Sequence, residues 1–244
     1  MYLLVKFLLL LQASQEIYGI PHFARIINGA TAKIRDYPYY AFLAYKSEGL
    51  LCGGAIIKTN IILTAAHCLS NRDIYVYTGI QALSDLQNHQ PYRVKRVIKY
   101  PKYKGQSRYD IGLVILSAHI RLTPTVKVIK IANTSPRIGS KLAVIGFGRV
   151  RCDGPATESS PCRIFYSKFL RSAVINVIEY YHGIIHTKGR RQNTCYGDSG
   201  GPVVYRNHIV GLVSSGEHEN CTGYDIQVAV ASYYDWVQKY LNYY

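Results

Sequence analysis

From about residue 37 to residue 231 the chain breaks into short runs of β-branched, aromatic and other apolar residues separated by Gly, Pro, Asn and Asp. Branched and aromatic side chains fit a pleated, half-buried surface, so such runs read as strands. The pattern predicts strands at 39–45, 54–64, 74–78, 92–100, 111–116, 141–147, 164–177, 202–213 and 225–231. Arg206-Asn207-His208 interrupts two apolar stretches as a hairpin turn does. So many strands at this spacing predict an all-β architecture, a sandwich or barrels. The C-terminus follows a different period. Val230, Tyr233, Tyr234, Val237, Tyr240, Leu241 and Tyr244 recur at helical spacing, which predicts one amphipathic α-helix with an aromatic packing face. Pro136 and Gly139 interrupt the pattern between Thr134 and Gly139, the expected seam between two halves.

The N-terminus fits neither pattern. Residues 3–11 read LLVKFLLLL and are followed by the small residues Ala13, Ser14 and Gly19. That run is shorter than the roughly 20 apolar residues a bilayer span needs, and its position suits a cleaved export signal over about residues 1–19. Export permits disulfides, and the six cysteines allow about 15 pairings that spacing alone does not resolve. No CxxC occurs, which disfavours zinc ribbons and dithiol redox motifs. His182 and His186 are four apart, but Gly183 lies between them and no Glu follows the first, so a surface turn is the better reading.

Composition narrows the class. At 48% hydrophobic and 18% charged, 244 residues suffice for a sizeable core and are too apolar for disorder. The 23 tyrosines against one Trp reinforce a β-rich reading. Lys and Arg number 29 against 14 Asp and Glu, a net charge of +15 that attracts polyanions without naming one. Small basic clusters stand at Arg93, Lys95, Arg96 and Lys99 and at Lys188, Arg190 and Arg191, with no nucleic-acid motif beside them.

Three segments carry the chemistry: TAAHC ending at His67 and Cys68, YDIGL holding Asp110, and CYGDSGGP holding Ser199. Acyl transfer by serine requires a base for its proton, a carboxylate to orient that base, and donors for the oxyanion. Each of the three residues alone has an ordinary reading, as a core histidine, a strand-start cap or a turn serine. Together, in the order His, Asp, Ser, they match one of three unrelated chain orders and exclude the subtilisin and α/β-hydrolase orders. The GxSxG elbow is absent, since Ser199 follows Gly197-Asp198 and precedes Gly200-Gly201.

From about Arg25 to the C-terminus the chain resembles the chymotrypsin family of trypsin-like serine endopeptidases, secreted as zymogens. The resemblance implies two antiparallel six-stranded β-barrels with the active site between them. By this likeness residues 1–19 are the signal peptide, 20–25 an activation propeptide and 26–244 the peptidase domain, with barrels over about 26–135 and 136–244. It implies that His67 is general base and then acid, that Asp110 fixes its tautomer, and that Ser199 attacks the carbonyl. Gly197 and Ser199 would supply the oxyanion hole. Cleavage after Arg25, in RIING, would free the ammonium of Ile26 to pair with Asp198. The bridges Cys52–Cys68 and Cys195–Cys221 correspond to family bridges, and the left-over Cys152 and Cys162 are expected to pair with each other.

The likeness also marks departures. The bridge usual in the segment before the nucleophile is missing and 177–192 is short. Ser215 stands where relatives mostly carry an aromatic under the substrate, and bulky Tyr196 sits beside the pocket. The calcium loop lacks its acidic residues, so no metal and no cofactor are expected. The expected specificity pocket comprises Asn193, Thr194, Tyr196, Ser214, Ser215, Gly216 and Asp225. Its floor position is the neutral Asn193, whereas Asp225 falls on the opposite wall, which implies mixed specificity with some cleavage after Lys or Arg. Expected partners are protein or peptide substrates, an activating protease, and a polyanion or protein inhibitor, with no specific nucleic acid and no membrane span. The expected location is extracellular. The alternative is a catalytically impaired, protease-like binding protein with a basic surface. Asn133-Thr134-Ser135 and Asn220-Cys221-Thr222 fit the glycosylation sequon, with Pro136 and the expected bridge at Cys221 arguing against their use.

Overall fold

The computed structural model describes residues 29–45, 51–69, 73–153, 163–190, 192–217, 221 and 223–244. The expected signal peptide, the propeptide, the Arg25–Ile26 cleavage point, Cys162 and the second sequon's Asn220 and Thr222 lie outside them. Among these residues, sixteen strands and one α-helix follow in chain order. β1 (Ala30–Thr31) leads into β2 (Tyr40–Tyr45), β3 (Leu51–Lys58), β4 (Ile61–Thr64), β5 (Ile74–Thr78), β6 (Tyr92–Lys99) and β7 (Gly112–Leu116). Strands β2 to β7 close into a barrel in the order β2-β3-β4-β7-β6-β5. Then come β8 (Lys130–Ile131), β9 (Lys141–Gly146), β10 (Arg149–Asp153), β11 (Arg163–Tyr166), β12 (Arg171–Tyr181), β13 (Ile184–Gly189), β14 (Pro202–Tyr205), β15 (His208–Gly216) and β16 (Asp225–Ala229). Six of these close a second antiparallel barrel, β12-β13-β16-β15-β14-β9, with β9 returning to pair with β12. The all-β, two-barrel fold expected from the sequence is therefore present, and α1 (Tyr234–Tyr243) ends the chain.

Each barrel has its own apolar interior. Leu43, Ile56, Ile62, Val76 and Val114 fill the first, and Leu142, Val144, Ile175, Val203 and Val210 the second. A third cluster joins them. At its centre Phe147, fully buried, packs its ring 5.5 Å from Phe42 and 5.9 Å from Tyr40. The helix completes the joint: Lys58 Nζ donates to the Leu241 carbonyl at 2.8 Å, a cation placed at the negative end of the helix.

Three sequence expectations are corrected. The run 54–64 is two strands, because Thr59 and Asn60 form a turn between β3 and β4. The run 164–177 divides into β11 and β12. There Ser167 Oγ donates to the Phe169 carbonyl and accepts the Phe169 N–H, turning the chain from a two-stranded ribbon into the barrel. β13 falls in a segment assigned no strand, since only Ile184 and Ile185 are apolar in it. The turn before β13 uses His182 and Gly183 at φ 45° and 84°. The hairpin at 206–208 forms as expected, with Arg206 and Asn207 both at positive φ.

Candidate active site

The cleft between the barrels holds a cavity of about 420 Å³. His67 lies in the 3-10 turn Ala66–Cys68 directly after β4, and Asp110 at the entry to β7. The first barrel thus presents the base and the carboxylate, whereas Ser199 sits in the loop before β14 of the second. Three hydrogen bonds lock that loop. Gly53 N donates to Ser199 O at 2.7 Å, Gly200 N to Val213 O at 2.7 Å, and Gly201 N to Asp198 O at 2.9 Å.

Asp110 is 3% exposed and its carboxylate accepts three donors: His67 N at 2.8 Å, His67 Nδ1 at 2.6 Å and Ser214 Oγ at 2.7 Å. A carboxylate is acceptor-only, so Nδ1 carries the proton and Nε2 is left as the acceptor. His67 and Ser199 both line the cavity, without a hydrogen bond between Ser199 Oγ and the imidazole in the resting chain.

The oxyanion donors are arranged by one contact from β10. Arg149 N donates to the Tyr196 carbonyl at 2.6 Å, and across a planar trans peptide this turns the Gly197 N–H the opposite way. Neither Gly197 N nor Ser199 N has an acceptor among the described residues, and both residues line the cavity. Gly197 has φ +91°, and a Cβ there would sit 3.0 Å from the Tyr166 ring, so glycine is required on two counts.

Asp198 points away from the cleft into the molecule. It is 1% exposed and accepts from Gly148 N at 2.8 Å and Cys195 N at 3.0 Å. Burial pushes its carboxyl up to about 7, the two amides pulling against that and the nearby Asp225 adding to it. No cation among the described residues pairs with it. Gly148 must lack a side chain, since a Cβ would overlap the carboxylate.

Of the expected pocket, Thr194, Tyr196, Ser214, Ser215 and Gly216 line the cavity, and Asn193 and Asp225 do not. Asn193 is buried behind it, its Nδ2 donating to the carbonyls of Cys221 at 3.1 Å and Gly223 at 3.3 Å. Asp225 lies opposite Gly216 in the β15–β16 register, 1% exposed, and its Oδ2 accepts Thr194 N at 3.0 Å. That bond draws the carboxylate into the wall, and burial pushes it up to about 7. Ser215 Oγ bonds Ser107 Oγ at 3.0 Å, replacing an apolar shelf with a polar pair. Tyr45, Tyr166 and Glu217 also line the cavity and escaped the sequence reading, because only the closure of the barrels brings them there. Cys52–Cys68 and Cys195–Cys221 are bonded, whereas the expected Cys152–Cys162 pair lies outside the described residues. Cys52, His67 and Cys68 are close enough to hold a metal, but the disulfide removes both thiolates as ligands.

A buried Asp on the ring nitrogen of a histidine, facing a serine and two free amides across a cleft between two β-barrels, defines a serine-protease-like site. The Trypsin family model matches residues 26–237, and the chain belongs to that family. It is 31% identical to mouse cathepsin G over 229 residues, which covers 88% of this chain and 85% of that protein. Bovine duodenase-1 is 28% identical over 90% of both chains. The solved structure of mouse neuropsin, a serine protease, superposes with a TM-score of 0.76 at 24% identity over 87% of this chain and 98% of its own.

Proposed function

We propose that the chain is an exported serine endopeptidase, made as an inactive precursor and activated by cleavage between Arg25 and Ile26. The observation that carries this is the linked set of Asp110, His67 and Ser214 beside Ser199 and the free amides of Gly197 and Ser199. On substrate binding His67 Nε2 accepts the Ser199 proton as Oγ attacks the carbonyl, and Gly197 and Ser199 N–H groups receive the oxyanion. His67 returns the proton to the leaving amine, and water then hydrolyses the acyl-enzyme with His67 again as base. Asp110 stabilises the imidazolium throughout.

The activation reading draws on Asp198, a buried carboxylate with two amide donors and no cationic partner among the described residues. Such a group is costly when charged and gains most from an ammonium brought beside it. Arg171 reaches back to the segment that follows the cleavage point, its guanidinium donating to the Gly29 carbonyl and to Thr31 Oγ1. A new Ile26 terminus would thus extend from an anchored strand. Specificity follows as mixed: Asp225 favours Lys or Arg through the pocket wall, where it has Thr194 between itself and the cavity.

The polar Ser107–Ser215 pair and the exposed Tyr196 favour a second reading, a protease-like protein that binds partners through the cleft without turnover. One experiment separates the two. The chain cut to begin at Ile26 is treated with a fluorophosphonate, which a working triad attacks, and mass spectrometry locates the adduct. Labelling of Ser199 in the cut chain and its absence in the uncut chain support the peptidase; a cut chain that stays unlabelled supports the binding protein.

A further inference from the structure

From Leu86 through Cys152 the only acidic residue is Asp110, which is buried and already engaged by His67 and Ser214. The lysines and arginines of β6 and of the segment 100–108 therefore have no acidic neighbour in sequence other than Asp110, and none of them makes an ion pair among the described residues. Strand β6 concentrates them. Alternation alone would turn every second side chain of a strand inward. Here a bulge between Val94 and Arg96 inserts Lys95 as an extra residue, so that Lys95 and Arg96 are both exposed between exposed Arg93 and Lys99. The four cations lie along roughly 20 Å of one strand at about 3.3 Å per residue. Lys102, Lys104 and Arg108, also exposed, follow in sequence, Arg108 within the 3-10 turn Ser107–Tyr109 that leads to Asp110.

We infer that this face is a binding site for a sulfated polysaccharide. Three observations select that class. First, β6 is hydrogen-bonded to β7 from Val94 to Lys99 and to β5 at Tyr92 and Arg93, so the strand is fixed in the barrel wall and presents its cations as a row of side chains at set spacing. Second, the nearby rings are committed. Tyr100 stacks on Tyr109 at 5.8 Å, and Tyr103 lies 5.8 Å under Lys99 Nζ, so no open platform for nucleic-acid bases accompanies the cations. Third, the charges follow one another along a single strand, which suits a chain with charges repeated along its outside. The energy of such binding is release of counterions from the polyanion, at about 0.7 per contact for a flexible strand, so four contacts predict a slope of log K against log salt near −3.

The test uses the full chain and a size-defined heparin octasaccharide, with affinity read by titration at several salt concentrations. The variant Lys95→Glu/Arg96→Glu is expected to weaken binding at least tenfold and roughly to halve the slope. The control Arg137→Glu/Lys141→Glu makes the same charge change at exposed positions outside β6 and is expected to lose less than threefold. All four sites are exposed, and equal melting temperatures check that the variants fold. Equal losses in variant and control would overturn the site in favour of unlocalised charge. Equal or tighter binding of an oligothymidylate or an oligoglutamate of the same length would overturn the choice of ligand.

Discussion

At the scale of single residues, the two buried carboxylates beside the cleft have separate consequences. Asp225 is held up to about 7 by burial against the Thr194 bonds. Below that pH it is neutral and attracts no cation, and above it the pocket wall is charged. The ratio of kcat/KM for a Lys substrate over its Phe counterpart should therefore rise between about pH 6 and 8 in the cut chain. Asp225→Gly should flatten that rise and lower the ratio severalfold. A pH-independent ratio that the substitution leaves unchanged would show that Asp225 does not read the substrate. At the nucleophile, Ser199→Ala should bring turnover to near background, with about 10³–10⁴ over the uncatalysed rate remaining from the oxyanion hole and binding.

If the proposed cleavage frees an ammonium beside Asp198, the elements around that carboxylate should make stability depend on it. In the uncut chain its carboxyl, raised from 3.8 to about 7, binds a proton in the folded state that the unfolded chain has already released. Stability contributed by the neutral form is thus full below about pH 4 and is lost as pH rises toward 7. An ammonium beside Asp198 removes that penalty, so the cut chain should lose less stability over the same range. Parallel thermal melts at pH 4.5 and 7.5 compare the two, and identical pH dependence would contradict the pairing. The same segment shows what could be read in advance. GDSGG placed Asp198 and Gly197, since their conformational needs are local, and the period of the apolar runs placed most strands. β13 was missed because its pairing with β12 and β16, not its apolar content, holds it in the sheet. The sequence pattern puts Asn193 and Asp225 in the pocket, but hydrogen bonds to backbone groups draw both into the wall, and no linear pattern records such bonds.

For the whole molecule, function rests on two barrels held in one relation by the aromatic joint at Phe147. Phe147→Ala should destabilise the protein by about 3–5 kcal/mol, readable as a lowered denaturant midpoint, because a fully buried ring would leave a cavity between the halves. A metal chelator should leave activity of the cut chain unchanged, since the disulfide closes off the one close group of metal-binding side chains among the described residues. The account as a whole depends on the two barrels forming a working triad once the Ile26 ammonium is free. The most direct measurement is the rate of Ser199 acylation by a fluorophosphonate before and after cleavage at Arg25–Ile26, with the new N-terminus sequenced. The account predicts a start at Ile26 and acylation at least a hundredfold faster than in the uncut chain. Equal rates in the two forms, or no labelling of Ser199 in a chain that begins at Ile26, would contradict it.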